Sequence, residues 1–94
     1  MCRNIRVLHH FEPPTTADEI RAAALQYVRK VSGTAKPSQA DLEAFARAVD
    51  EVTASTTRLL EQLSARGTVR TREGEKEKAR ARWRFRERAV ERIP

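Results

Sequence analysis

Hydrophobic residues fall into three differently spaced sets along the chain. In NIRVLHHF, residues 4–11, the pattern alternates: Ile5, Val7, His9 and Phe11 share one side of an extended chain, and Arg6, Leu8 and His10 the other. This predicts a short strand or extended arm. Pro13 and Pro14 stop it, because proline fixes φ and has no N–H to donate. One strand makes no sheet, so the arm is expected to lie across helices or against another chain.

From Thr16 the spacing becomes helical. Ile20, Ala24, Tyr27, Val28 and Val31 form one stripe, with Arg21, Gln26, Arg29 and Lys30 facing away. Thr16 as N-cap and Glu19 three residues on make a capping box, and Ser32-Gly33 closes the helix with a glycine suited to left-handed backbone. After the loop GTAKP, Ser38 is the expected cap of a second helix, with Asp41 in its first turn. Leu42, Phe45, Val49, Val52, Thr56, Leu59 and Leu63 recur at alternating steps of three and four, a heptad seam. A helix over residues 39–66 would be about 40 Å long and the first about half that, so the first covers only part of the seam. TASTT (residues 53–57) is the expected weak point, because Ser and Thr compete for backbone hydrogen bonds and favour a bend or break. Arg66-Gly67-Thr68 is expected to end this helix.

The remainder is rich in Glu, Lys, Arg and Ala, strong helix formers with Glu73–Lys76 and Glu77–Arg80 at i,i+3 spacing. Ala79, Trp83, Val90 and Ile93 fall near one face of such a helix. RARWRFR also alternates at period two, but no hairpin turn accompanies it. The expected fold is therefore all-α: a helical hairpin with an N-terminal extended arm and a basic C-terminal helix. Residues 1–67 are read as a compact helical domain and 68–94 as a basic helical tail.

Composition sharpens this picture in two places. Ninety-four residues bury a modest core, which makes a second copy through the Leu42–Leu63 seam a reasonable partner. Of the net charge of +6, residues 68–94 carry ten basic and five acidic side chains, so the body is nearly neutral and the tail basic. No run approaches the roughly 20 apolar residues of a membrane span, no leader is evident, and the single cysteine excludes an internal disulfide. Together these favour a cytoplasmic setting.

The stretches MCRNIRVLHHFEPP, TTADEIRAAALQYVRKVSG and KPSQADLEAFARAVDEV, in that order, resemble a small bacterial family of unknown function that begins Met-Cys-Arg-Asn-Ile. The resemblance covers residues 1 to about 65; KARAR is also similar, RWRFRERAVERIP less so. It implies a bacterial, intracellular protein and brings no activity, cofactor or site residue with it.

Two sets of side chains are candidates for chemistry. The stronger is Arg80, Arg82, Arg84, Arg86 and Arg88 with Trp83 and Phe85 among them, since guanidinium groups neutralise phosphates and aromatic rings stack on bases. The competing structural reading is a basic helix whose Trp83 and Phe85 dock on the uncovered seam. The weaker set is Cys2, His9 and His10. Structural zinc takes four ligands, adjacent histidines on a strand point to opposite faces, and no C-x-x-C or H-x-x-x-H spacing is present. Cys2, exposed by removal of the initiator methionine and flanked by Arg3, could instead serve as a thiol nucleophile, but nothing marks an oxyanion hole. The leading expectation is a non-enzymatic module whose tail contacts nucleic acid or another polyanion, with no cofactor. The alternative is a small metal or thiol enzyme centred on Cys2 and His9.

Overall fold

The structure of the protein, a computed structural model, describes residues 5–91, with residues 88–91 as backbone only. Three helices follow one another: α1 (Ala17–Ser32), α2 (Leu42–Gln62) and α3 (Arg72–Glu91). The fold is all-α. α1 and α2 form the hairpin; α3 packs on neither, and reaches α1 through the side chain of its first residue.

The ends of α1 follow from its sequence. The Thr16 hydroxyl accepts the Glu19 N–H at 3.2 Å, and the Glu19 carboxylate accepts the Thr16 N–H at 2.9 Å, completing the capping box. At the other end Gly33 sits at φ 72° and donates its N–H to the Arg29 carbonyl. A Cβ there would meet nothing within 4 Å, so replacement is resisted by the backbone alone. Gly33→Ala should therefore destabilise the hairpin by about 1 kcal/mol, read from urea unfolding. An unchanged midpoint would show that the left-handed cap contributes nothing.

α2 is shorter than its apolar pattern implies. The expected Ser38 cap is not formed: the Ser38 hydroxyl donates to the Asp41 carboxylate at 3.2 Å, and Asp41 is the residue from which the helix starts. Its carbonyl accepts the first helical N–H, from Phe45, at 3.0 Å. At the far end Leu63 is already extended, at φ −72° and ψ 138°, four residues before Gly67. The TASTT segment does not break the helix, which runs through it unbroken. Thr53 and Thr57 donate their hydroxyls back one turn, to the carbonyls of Val49 and Thr53 at 2.7 and 2.8 Å, so the competing groups are absorbed within the helix.

The core lies where the two helices pack together. Ala24, Val28 and Val49 are buried, with Leu25, Phe45, Ala48 and Val52 packed around them, and Ile20 is buried one turn earlier on α1. An exposed Arg21–Asp50 ion pair at 2.8 Å bridges the two helices outside this core, at the antiparallel register that the core sets. On that register the last turns of α2 run past the start of α1, which is why Leu59 and Leu63 stay about half exposed. Leu42 is equally exposed at the loop end, and Tyr27 (about half) and Val31 (about two-thirds) are the two stripe positions that the hairpin does not cover.

Candidate polyanion-binding surface

The basic helix begins at a clasp that joins it to the N-terminal arm. Phe11 and Arg70 form an isolated parallel bridge: the Glu12 N–H donates to the Arg70 carbonyl at 2.9 Å, and the Arg70 N–H to the His10 carbonyl at 2.8 Å. The Arg70 guanidinium donates to the His9 carbonyl at 2.7 Å, and His10 Nε2 lies 3.2 Å from the Gly67 carbonyl oxygen. So the arm is tied to residues just beyond the hairpin. It is not regularly alternating. His10 has φ 62°, a left-handed conformation tolerated more often by His than by most residues, and it interrupts the strand pattern. In consequence the His9 and His10 rings do not point to opposite faces; their centroids are 6.0 Å apart. Ile5 and Val7 are exposed.

Arg72 is the centre of the clasp. Its Nε donates to Glu19 Oε2 at 3.0 Å and its Nη2 to Glu19 Oε1 at 2.6 Å, the two-pronged geometry that a planar guanidinium matches to a carboxylate. The same group donates to the carbonyls of Pro13 and Pro14 at 2.8 and 3.2 Å and lies 5.5 Å from the Phe11 ring centroid. Glu19 thus serves the α1 cap and the α3 anchor at once. Arg72, and after it the Thr16 N–H, hold its carboxyl down at about 2. In turn, hydrogen bonding to Glu19 raises the Arg72 pKa. Thr71 starts α3 by accepting the Gly74 N–H on its hydroxyl at 2.9 Å, with Glu73 and Glu75 in the first turn at the favourable end of the dipole.

Beyond the clasp α3 is solvated on all sides: every residue from Lys76 to Glu87 is exposed. The first turns are charge-balanced, with Lys76 against Glu73, Lys78 against Glu75 and Arg80 against Glu77. Past that point the balance ends. Among the described residues no ion pair engages Arg82, Arg84 or Arg86. Trp83 is 53% and Phe85 75% exposed, on a helix that as an element packs on neither α1 nor α2. The structure therefore brings Arg80, Arg82, Trp83, Arg84, Phe85 and Arg86 onto one continuous exposed helix. The side chains of Arg88 and Val90 lie outside the described residues, as does Ile93. At about 100° per residue, Arg80 and Arg84 share one side of α3 and Arg82 and Arg86 the opposite side.

Cys2, with Arg3 and Asn4, lies outside the described residues. Among the described residues no group of three or more His, Cys, Asp or Glu side chains could hold a metal ion. A shallow, open depression along α2 is lined by Glu43, Arg47, Asp50 and Glu51, with Arg47 paired to Glu43 at 3.3 Å. No helix among the described residues is long and apolar enough to cross a membrane. The clasp residues Arg70 and Arg72 gave no signal in the sequence, since their partners lie 53 to 61 positions away. Only the Thr16–Glu19 box hinted that Glu19 is structurally committed.

In comparisons with known proteins, residues 1–78 match the model of DUF2277, an uncharacterized conserved protein family. No curated protein and no solved structure matches the chain.

Proposed function

The chain belongs to the DUF2277 family of uncharacterized conserved proteins, and from that premise we propose that it is a non-enzymatic binding module whose α3 engages nucleic acid or a similar polyanion. One observation carries this reading. Arg82, Arg84 and Arg86 stand on a helix that packs on neither α1 nor α2, exposed and without acidic partners among the described residues. A row of exposed cations repels itself and is costly to gather unless an anion uses it; phosphates release counterions when such groups approach, which gives binding its driving force. Among the described residues the ion pairs of α3 lie in its first turns, where they stiffen the base of the helix.

The test is a titration of labelled mixed-sequence DNA and RNA with the whole chain and with the R82A/R84A/R86A variant. Truncation after residue 67 is unsuitable, because it would also remove Arg70 and Arg72 and so open the clasp. The expected result is binding that falls steeply between about 50 and 200 mM salt and weakens by at least about tenfold in the triple variant. Cys2→Ser should leave it unchanged. Absence of binding at the lower salt would refute the proposal.

A further inference from the structure

Resting on the polyanion reading, we infer that the partner of α3 is single-stranded nucleic acid, its backbone held by Arg82 and Arg86 and a base stacked on Phe85. Arg82 and Arg86 differ from the other cations of the helix in their neighbours. On a helix a side chain meets those three and four positions away. For Arg82 these are Lys78, Ala79, Phe85 and Arg86; for Arg86 they are Arg82, Trp83, Ala89 and Val90. No acidic residue is among them. The nearest carboxylate on that side, Glu75, stands about 10 Å below Arg82 along the axis and is shared between Arg70 and Lys78. The side of Arg80 and Arg84 is mixed instead: Glu73, Glu77 and Glu87 fall on it by the same spacing, and Arg80 is paired with Glu77. The outer half of α3 therefore offers one cationic row. Its two guanidinium groups lie within about 40° of each other around the axis and start about 6 Å apart along it, close to the span of two stacked nucleotides.

Beside this row stands a bare aromatic ring. Phe85 is the most exposed large hydrophobic side chain among the described residues. It lies about 60° round the axis from Arg82 and about 100° from Arg86. Ala81, one turn before it, is too short to cover the ring. A phenyl ring left in water is unfavourable, and a flat partner laid on its face recovers that cost. Trp83 is about 160° round from Phe85 and is not part of this site.

The pairing of one row with one ring discriminates between anionic partners. A single strand supplies both requirements, phosphates for the arginines and an unpaired base with an open face for Phe85. A duplex carries phosphates at higher density, but its bases are stacked on one another and closed to the ring. A membrane surface requires a broad apolar side, whereas here one ring stands between an alanine and the cations. Access is open, since residues 76–87 are exposed and a flexible strand can reach row and ring together.

The experiment compares the whole chain on a mixed-sequence DNA single strand, its duplex and an abasic strand of the same length, by fluorescence anisotropy at about 50 and 200 mM salt. The single strand should bind at least about fivefold tighter than either of the others, whereas charge alone would rank the duplex first. Phe85→Leu keeps the side chain apolar but removes the flat ring, and should weaken single-strand binding at least about fivefold. Phe85→Trp should retain it, and neither variant should alter binding to the abasic strand. R82A/R86A should lower the slope of log affinity against log salt by about 1.4 on the single strand, with circular dichroism confirming that α3 stays helical. Equal or tighter binding to the duplex or the abasic strand would overturn the inference while leaving the polyanion reading intact. So would a Phe85→Leu variant that binds the single strand like wild type. A salt slope that R82A/R86A leaves unchanged would overturn the inference too. No binding to any of the three would sink both.

Discussion

Val49→Asp should unfold the helical hairpin. Val49 is 3% exposed and sits among Ala24, Val28, Leu25, Phe45, Ala48 and Val52. Among the described residues only four hydrophobic side chains are buried, so each bears a large share of a small core. An aspartate placed there loses its water and gains no cation, since Arg21, which reaches α2 from α1, is already engaged with Asp50 at the surface. The penalty should be about 3–5 kcal/mol, comparable to the whole stability of a domain this small. Val49→Ala removes two methyl groups and should cost only about 1.5–3 kcal/mol, leaving the hairpin folded but less stable. Circular dichroism at 222 nm with urea titration separates the cases. The aspartate variant should lose most but not all of its helical signal, because α3 is stabilised by its own ion pairs and does not lean on the core. A cooperative transition at the wild-type midpoint would contradict the placement of Val49.

Arg72→Ala should release the arm and leave the hairpin intact. The substitution takes donors from Glu19 and from the carbonyls of Pro13 and Pro14 together. Hydrogen exchange at the Glu12 and Arg70 amides, which bond across the clasp, should accelerate at least about tenfold, while Val28 and Val49 keep their protection. Arg72→Lys should behave in the same way, since one ammonium cannot satisfy two carboxylate oxygens and two carbonyls in a planar fork. The Glu19 carboxyl supplies an independent readout. Its pKa, about 2 in the folded chain against an ordinary 4.5, should rise in the variant as the largest of its stabilising partners is lost. The sign for wild type follows. A depressed carboxylate contributes its full stabilisation above about 4.5, and that contribution is lost as pH falls toward about 2. Acid should therefore loosen the clasp within that interval, and raised salt should narrow the difference between wild type and variant, because the pair is about one-third exposed. Unchanged exchange at Glu12 and Arg70 would show that the backbone bridge, not Arg72, holds the arm.

These two sites differ in how far the sequence announces them. The hairpin core was legible because its determinants are local: the Thr16 box, the Gly33 stop and the three-four spacing through Phe45, Val49 and Val52 each act within a few residues. Where α2 begins and ends was not, because Ser38 and Asp41 bond to each other and because nothing between Leu63 and Gly67 forces the helix to continue. The clasp was invisible for a different reason. Alternating side chains in residues 4–11 say that a strand-like arm exists, but the partner of that arm lies some sixty residues on, and Arg70 and Arg72 look like members of a basic run. The basic surface was legible in composition. Its exposure was not, since whether Trp83 and Phe85 pack on Leu59 and Leu63 depends on where the clasp directs α3.

The clasp also bears on the order of folding. Along the chain, Glu19 and Arg72 enclose a loop of more than fifty residues, and closing it directly would carry a considerable entropic cost. Once α1 and α2 have paired, however, the end of α2 is delivered close to the start of α1. The segment still to be searched then shrinks to the few residues between Leu63 and Arg72. Hairpin formation is thus the low-contact-order step that makes the high-contact-order one inexpensive, and the aim of α3 is set last.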